Sequence, residues 1–187
     1  MKMKTFFLML FCICFANTFA QKPVSFVEEY IDFELNDEYF RVNGVYYFVN
    51  NTGDTINKAI RFPFASTLSS VHHIRVFNLS YGQHINHQPQ KSSVSFHFPM
   101  QPHDTVCLNI AYDQDLEQKN TYILRSTQTW GEPLKEAVYS LKVEGDNRIE
   151  AFSYQPDSTD QNMYYWKKKQ FYPEKDFICE IKVASTD

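Results

Sequence analysis

From residue 21 to residue 187 the chain repeats one pattern: short segments in which apolar residues, many of them aromatic or β-branched, occupy every second position. Consecutive side chains of a β-strand point to opposite faces, so this spacing predicts strands with one buried face. Polar or Gly/Pro clusters separate the segments, as in the turn-forming run from Asn50 to Asp54. Almost no stretch carries the helical period, and the sequence therefore predicts an all-β protein.

The alternation also predicts which side chains face the core. In the first two strands these are Val27, Ile31, Phe33 and Leu35, followed by Phe40, Val42, Gly44, Tyr46 and Phe48. The third inner face comprises Ile56, Ile60, Phe62 and Phe64. Later strands are expected at 71–79, 92–98, 104–112, 121–127, 136–144, 148–154, 162–167 and 176–183.

A set of about 10–11 short strands without crossover helices favours an antiparallel, immunoglobulin-like β-sandwich over a parallel sheet. An aromatic content of 17% fits a core filled by large side chains from two facing sheets. We expect one domain over residues 21–187. A split into two smaller sandwiches within 113–119 is the alternative.

The first 20 residues have the composition of a secretory signal peptide. Lys2 and Lys4 precede an apolar stretch over residues 5–15, and Thr18-Phe19-Ala20 places small residues at both recognition positions for cleavage before Gln21. An uncleaved membrane anchor is the alternative, but the stretch is short for a bilayer, which needs about 20 residues. The sequence therefore predicts a secreted, periplasmic or cell-surface protein with no transmembrane segment after cleavage.

Charge and cysteine content narrow the classes of partner. Removing Lys2 and Lys4 from the 18 basic and 22 acidic residues leaves a net charge of −6, which argues against nucleic-acid binding. Two cysteines remain, Cys107 and Cys179, and an exported pair can form a disulfide. The alternation places Cys179 on an inner face and Cys107 on an outer face, so we expect two unpaired thiols.

Two groups of residues are candidate sites. All six histidines lie within 72–103, and His84 and His87 have a spacing seen in metal sites, with His97 as a third ligand. The alternative is that these are ordinary polar histidines of loops and outer faces. Tyr164, Tyr165 and Trp166 form the densest aromatic cluster and are a candidate surface for a protein or glycan partner. Alternation instead directs Tyr164 and Trp166 to one side, where they would fill the core. Trp130 is expected to plug one end of the sandwich.

Some stretches resemble known β-sandwich domains. The segments 42–51, 60–64, 121–124 and 130–139 resemble small secreted bacterial domains of unknown function. Their order, with an Asn-x-Thr-Gly-Asp turn and a later Phe-Pro-Phe, is also similar in architecture to the N-terminal sandwich of zinc aminopeptidases. That family's catalytic helix and metal motif are absent, so the resemblance implies a fold and an envelope location and no catalytic residue.

The sequence carries no recognised motif for hydrolysis or phosphate binding. We therefore expect a non-enzymatic structural or interaction domain of the cell envelope, without a cofactor and with an unknown partner. A histidine-based metal-binding protein is the alternative, and a glycan-binding module is a further one.

Overall fold

The computed structural model describes residues 22–182. The signal-peptide interpretation of residues 1–20 lies outside these residues. Fourteen strands and two short 3-10 helices follow one another in the order β1 (Val24–Leu35), β2 (Tyr39–Asn50), β3 (Ile56–Pro63), η1 (Leu68–Ser70), β4 (Val71–Asn78), β5 (Gln83–His84), β6 (Gln88–Gln90), β7 (Ser93–Met100), β8 (Thr105–Asp115), β9 (Lys119–Tyr122), η2 (Arg125–Trp130), β10 (Leu134–Val143), β11 (Arg148–Phe152), β12 (Ser158–Asp160), β13 (Met163–Phe171) and β14 (Phe177–Lys182).

The strands form one large sheet and two small ones. The large sheet has eight strands in the order β12-β13-β10-β1-β2-β8-β4-β5, and the small sheets have the orders β11-β14-β9 and β3-β7-β6. Every pair is antiparallel except β1 with β10, which run parallel. The all-β sandwich expected from the alternation is confirmed. None of the helices within 22–182 has the length and apolar character needed to cross a bilayer.

Both small sheets pack against the same face of the large sheet. Phe33 of β1 stacks on Phe177 of β14 with 4.5 Å between ring centroids. Tyr46 of β2 meets Phe62 of β3 edge-on at 5.7 Å. The second layer of the sandwich therefore consists of two separate three-stranded sheets, in which β3 and β9 are edge strands.

The first strand departs from the predicted alternation at a β-bulge. Its register against β2 shifts between Phe26 and Glu28, and the inward face changes parity there. Phe26 is therefore buried and Val27 only half-buried, so the assignment of Val27 to the inner face was wrong. Downstream of the bulge Glu29 faces inward, on the same side as Ile31.

The strand expected over 121–127 is also different. β9 ends at Tyr122, and the chain then turns into η2, whose first residues are fixed by Asp176. One carboxylate oxygen of Asp176 accepts hydrogen bonds from the backbone N–H groups of Leu124 (3.1 Å) and Arg125 (2.9 Å). Gly131 ends η2 with φ 72°, in the left-handed region that glycine adopts without strain. This turn carries Trp130 back over the open side of the core.

Candidate functional site

A pocket of about 510 Å³ opens between the inner face of the large sheet, β3 and η2. The large sheet supplies its floor, β3 supplies one wall and η2 supplies the other. Its aromatic lining consists of Phe26, Tyr46, Phe48, Phe62, Tyr122 and Trp130. The lining also contains charged residues and several serine and threonine side chains. A pocket of this size that combines apolar and polar groups is typical of small-molecule sites.

Glu29 lies in the floor of this pocket and is 1% exposed. The hydroxyl of Tyr139 donates to its Oε1 at 2.5 Å, and the hydroxyl of Tyr122 donates to its Oε2 at 3.4 Å. The hydroxyl of Tyr46 lies 3.0 Å from that of Tyr122. These four side chains therefore form one buried polar network, in which the Glu29 carboxyl is the only acid.

Burial sets the protonation of this network. It raises the pKa of Glu29 to about 7, since a carboxylate in an apolar interior loses its hydration, while the hydrogen bonds from Tyr139 and Tyr122 lower it. Burial also raises the pKa values of Tyr46, Tyr122 and Tyr139 well above the ordinary tyrosine range, so all three hydroxyls keep their protons. Near neutral pH, Glu29 is thus present in both forms and can either donate or accept a hydrogen bond.

The network depends on a close approach at Gly44. A Cβ atom on Gly44 would lie 2.3 Å from the hydroxyl oxygen of Tyr46 and 2.5–2.6 Å from its ring carbons. Because Gly44 has no side chain, the Tyr46 ring can lie directly over it on the same strand. In this position the Tyr46 hydroxyl reaches that of Tyr122. The backbone oxygen of Gly44 accepts a hydrogen bond from Asn109 Nδ2 at 2.9 Å.

The mouth of the pocket carries aromatic and cationic groups. Trp130 is half-buried and contacts Phe48 with 5.4 Å between ring centroids. Lys58 Nζ lies 4.6 Å from the centroid of the same indole ring. Arg61 Nε donates to Ser93 Oγ at 3.0 Å, and both residues line the pocket. Trp130 thus packs against the core and borders the pocket; its predicted role as a plug at one end of the sandwich stays a prediction.

No family model matches this chain, and no curated protein matches it. Among solved structures, the chain is similar to a "putative nutrient binding protein" from Legionella pneumophila, with a TM-score of 0.67 and 13% identity over 85% of this chain and 67% of that chain. It is also similar to yeast LTA4 hydrolase, with a TM-score of 0.53 and 11% identity over 86% of this chain and 29% of that one. An M1 zinc metallopeptidase from Deinococcus radiodurans matches with a TM-score of 0.49 and 9% identity over 86% and 43% of the two chains.

At these identities the likeness shows the fold alone. The architectural resemblance to bacterial β-sandwich domains and to the N-terminal sandwich of zinc peptidases is confirmed at that level. The pocket and its buried acid are accordingly interpreted from this chain's own residues.

The three candidate metal ligands lie on different elements. His84 is exposed on β5 of the large sheet, His87 is half-buried in the connection to β6, and His97 is exposed on β7 of a small sheet. Residues 22–182 contain no group of three or more His, Cys, Asp or Glu side chains arranged to hold a metal ion. A metal site at these histidines stays a prediction from the sequence.

The aromatic triplet does not present three rings on one surface. Trp166 is 1% exposed, and its indole Nε1 donates to the backbone oxygen of Tyr154 at 2.9 Å, whereas Tyr165 is 38% exposed. Tyr164 is half-buried against Phe152, with 5.0 Å between ring centroids. Tyr165 alone is therefore presented to a partner, and a partner surface here stays a prediction.

Cys107 and Cys179 are both free thiols. Cys179 of β14 is buried in the core, whereas Cys107 of β8 is half-buried on the outer face of the large sheet. Both positions agree with the alternation. Burial raises the pKa of Cys179 to about 12, so this thiol keeps its proton and acts as a core side chain.

A second groove, of about 630 Å³, lies on the outer face of the large sheet, and most of its charged groups are already paired. Asp113 accepts from Arg41 Nε at 2.7 Å and contacts His73 Nδ1 at 2.9 Å. Lys142 is paired with Glu144. The inter-sheet pocket is the stronger candidate because its buried acid lacks such a partner.

The sequence did contain a signal for Glu29. Ile31, Phe33 and Leu35 define the inner face of the first strand, and Glu29 occupies the same parity two positions earlier. An acidic residue at an inward position is an exception that indicates either a buried polar network or a site. The sequence did not show which side chains form hydrogen bonds with Glu29, because Tyr122 and Tyr139 come from strands far along the chain.

Proposed function

We propose that this chain is a non-enzymatic binding domain of the cell envelope, and that the inter-sheet pocket binds a small organic ligand. The observation that carries the proposal is the buried carboxyl of Glu29 in the floor of an open pocket that is partly lined by aromatic rings. Burying an acid costs free energy unless it is paired, so a fold retains such a group where it has a role.

Three features support a binding role over catalysis. The pocket lining described above contains neither histidine nor cysteine, the commonest bases and nucleophiles of hydrolytic sites. The hydroxyls that contact Glu29 belong to tyrosines whose raised pKa values make them poor nucleophiles. The Legionella pneumophila protein of the same fold is described as binding a nutrient, and a binding role here is compatible with that description.

The envelope location rests on the first 20 residues, whose composition is that of a cleaved signal peptide. If the proposal is right, the intact mass of the exported protein will correspond to a chain that begins at Gln21. A protein recovered in the cytoplasm with its first 20 residues intact would contradict this part of the proposal.

The binding role can be tested with the fluorescent probe 1-anilinonaphthalene-8-sulfonate, an aromatic anion that reports on apolar sites. Ile60 is half-buried on the inner side of edge strand β3 and lines the pocket, so Ile60→Trp should fill it and reduce probe fluorescence several-fold. Ile178→Trp is the matched control, since Ile178 is also half-buried but lies on β14 outside the pocket.

The result expected is strong fluorescence with the unmodified protein and with Ile178→Trp, and weak fluorescence with Ile60→Trp. Thermal unfolding of all three proteins establishes that each is folded at the temperature of the titration. Equal fluorescence from both tryptophan variants, or none from the unmodified protein, would show that the pocket does not bind the probe.

A further inference from the structure

The pocket contains charged groups of both signs that are not paired with one another. Glu29 lies in the floor and Lys58 lies at the mouth, whereas Arg61 is exposed on the opposite side of β3. Lys22 approaches from the side, where its ammonium group donates to the backbone oxygen of Trp130. The ion pairs formed among residues 22–182 include none of these four side chains. The site thus presents a negative inner end and a positive outer end.

The two lysines at the mouth repel each other. Burial lowers the pKa of Lys58, and the like charge of Lys22 lowers it further. An anionic group at the mouth would relieve the repulsion between the two lysines.

The inner end favours a cationic donor. Oε1 of Glu29 already accepts from Tyr139, whereas Oε2 receives only the long 3.4 Å contact from Tyr122 and can accept a further hydrogen bond. Tyr122 contacts this oxygen, and the rings of Phe26 and Tyr46 line the same pocket. Aromatic faces and a carboxylate both attract an ammonium group, and the attraction grows where water is excluded.

The charges therefore define a ligand with opposite ends. Resting on the proposed binding function, we infer that the ligand is a zwitterionic organic molecule whose ammonium group binds Glu29 and whose acidic group binds Lys58. The apolar body of such a molecule would lie along Phe48 in the floor and Ile60 in the β3 wall, both of which line the pocket.

Four matched probes test this inference: 4-(aminomethyl)benzoate, benzylamine, benzoate and benzyl alcohol. They share one ring and differ in whether they carry both charges, only the positive one, only the negative one or neither. Calorimetric titration at neutral pH should show the zwitterion binding about tenfold tighter than either singly charged probe, as expected for one added ion pair in a partly buried site. Benzyl alcohol should bind most weakly.

Two variants assign the ends. Glu29→Gln should reduce the affinity for the zwitterion to that for benzoate, and Lys58→Met, which keeps an apolar stem against Trp130, should reduce it to that for benzylamine. Lys169→Met changes an exposed lysine of β13 outside the pocket and should leave all four affinities unchanged. In the unmodified protein, benzylamine should bind more tightly at about pH 8 than at about pH 5.5, because Glu29 must ionise to pair with it.

The outcomes separate this inference from the proposed function. If the four probes bind with equal affinity, the pocket binds ligands without selecting charge, and the zwitterion inference is wrong while the binding role stands. The same conclusion holds if 1-anilinonaphthalene-8-sulfonate binds but none of the four probes does. If neither that dye nor any of the four probes binds, both the inference and the binding role are wrong.

Discussion

Aromatic side chains fill both halves of the sandwich interior, but they form a closed core in one half and line an open pocket in the other. Where the large sheet faces β14, aromatic rings close on one another: Trp166 meets Phe177 edge-on with 5.0 Å between centroids, and Phe33 stacks on Phe177. Where the large sheet faces β3, the rings of Phe26 and Phe48 border an open pocket with Glu29 in its floor. One half is sealed, and the other is accessible.

The difference originates in the second layer of the sandwich. Because that layer consists of two separate three-stranded sheets, the rings of the large sheet are covered by β14 on one side and left uncovered where β3 and η2 stand apart. The bulge in β1 then directs an acid into the uncovered part. The comparison indicates that the sealed half provides stability and the open half provides the site.

The largest effect is expected from truncation in the sealed half. Trp166→Ala should lower the free energy of unfolding by about 3–5 kcal/mol, because the indole is 1% exposed and its removal leaves a cavity in a closed core. Trp130→Ala at the pocket mouth should cost about 1–2 kcal/mol, because solvent can enter the space vacated by a half-buried ring. Urea unfolding of both variants measures the difference, and equal losses would break the comparison.

The second effect concerns pH and belongs to the open half. Burial raises the folded-state pKa of Glu29 to about 7 from its ordinary value of 4.5, so the folded protein binds this proton more tightly than the unfolded chain does. The stabilisation from this group is complete below pH 4.5 and is lost as the pH rises through about 7. The loss should approach about 3 kcal/mol, at about 1.4 kcal/mol for each pKa unit.

Subtraction isolates the contribution of Glu29 from those of the other carboxyls. The difference in unfolding free energy between the unmodified protein and Glu29→Gln should change by that amount between about pH 4.5 and pH 7 and then become constant. Glu150→Gln, on an exposed position of β11, should give a difference that does not vary in this way. A pH-independent difference for Glu29→Gln would mean that this acid titrates normally and is not held in an apolar site.

The sequence predicted the inner faces well because alternation is a local property of each strand. Phe33, Tyr46 and Trp166 are buried as their parity required. The pocket was not predicted because it depends on which strands become edges, and on the parallel pairing of β1 with β10, which places Tyr139 beside Glu29. Such long-range pairings leave no periodic signal in the chain.

The end of β9 shows the same limit at a smaller scale. The segment from Thr121 to Leu124 alternates like a strand, yet the chain turns at Leu124 because Asp176, distant in sequence, accepts its N–H and that of Arg125. A distant side chain thus decides where the strand ends, and that turn forms one wall of the pocket.

A smaller effect is expected at Gly44, where the open half depends on a missing side chain. Gly44→Ala would place a Cβ against the Tyr46 ring and should cost about 1–3 kcal/mol, because the ring must move away from Tyr122. Thermal unfolding and the dye titration described above should both register the change. Gly53→Ala is the control, since the nearest atom to its Cβ would be His103 Nε2 at 4.0 Å, and it should change stability by less than about 0.5 kcal/mol.

The smallest change in the free energy of unfolding is expected at Tyr165, next to Trp166, where the largest change is expected. Tyr165 follows the opposite parity to Trp166 and is 38% exposed on the outer face of β13. Tyr165→Thr keeps a residue that favours strands and should change the free energy of unfolding by less than about 0.5 kcal/mol. Urea unfolding beside Trp166→Ala gives the contrast directly. If Tyr165→Thr lowers the free energy of unfolding almost as much as Trp166→Ala does, the outer face of the large sheet must be covered in solution. The protein would then have a third packed surface besides the sealed half and the open half.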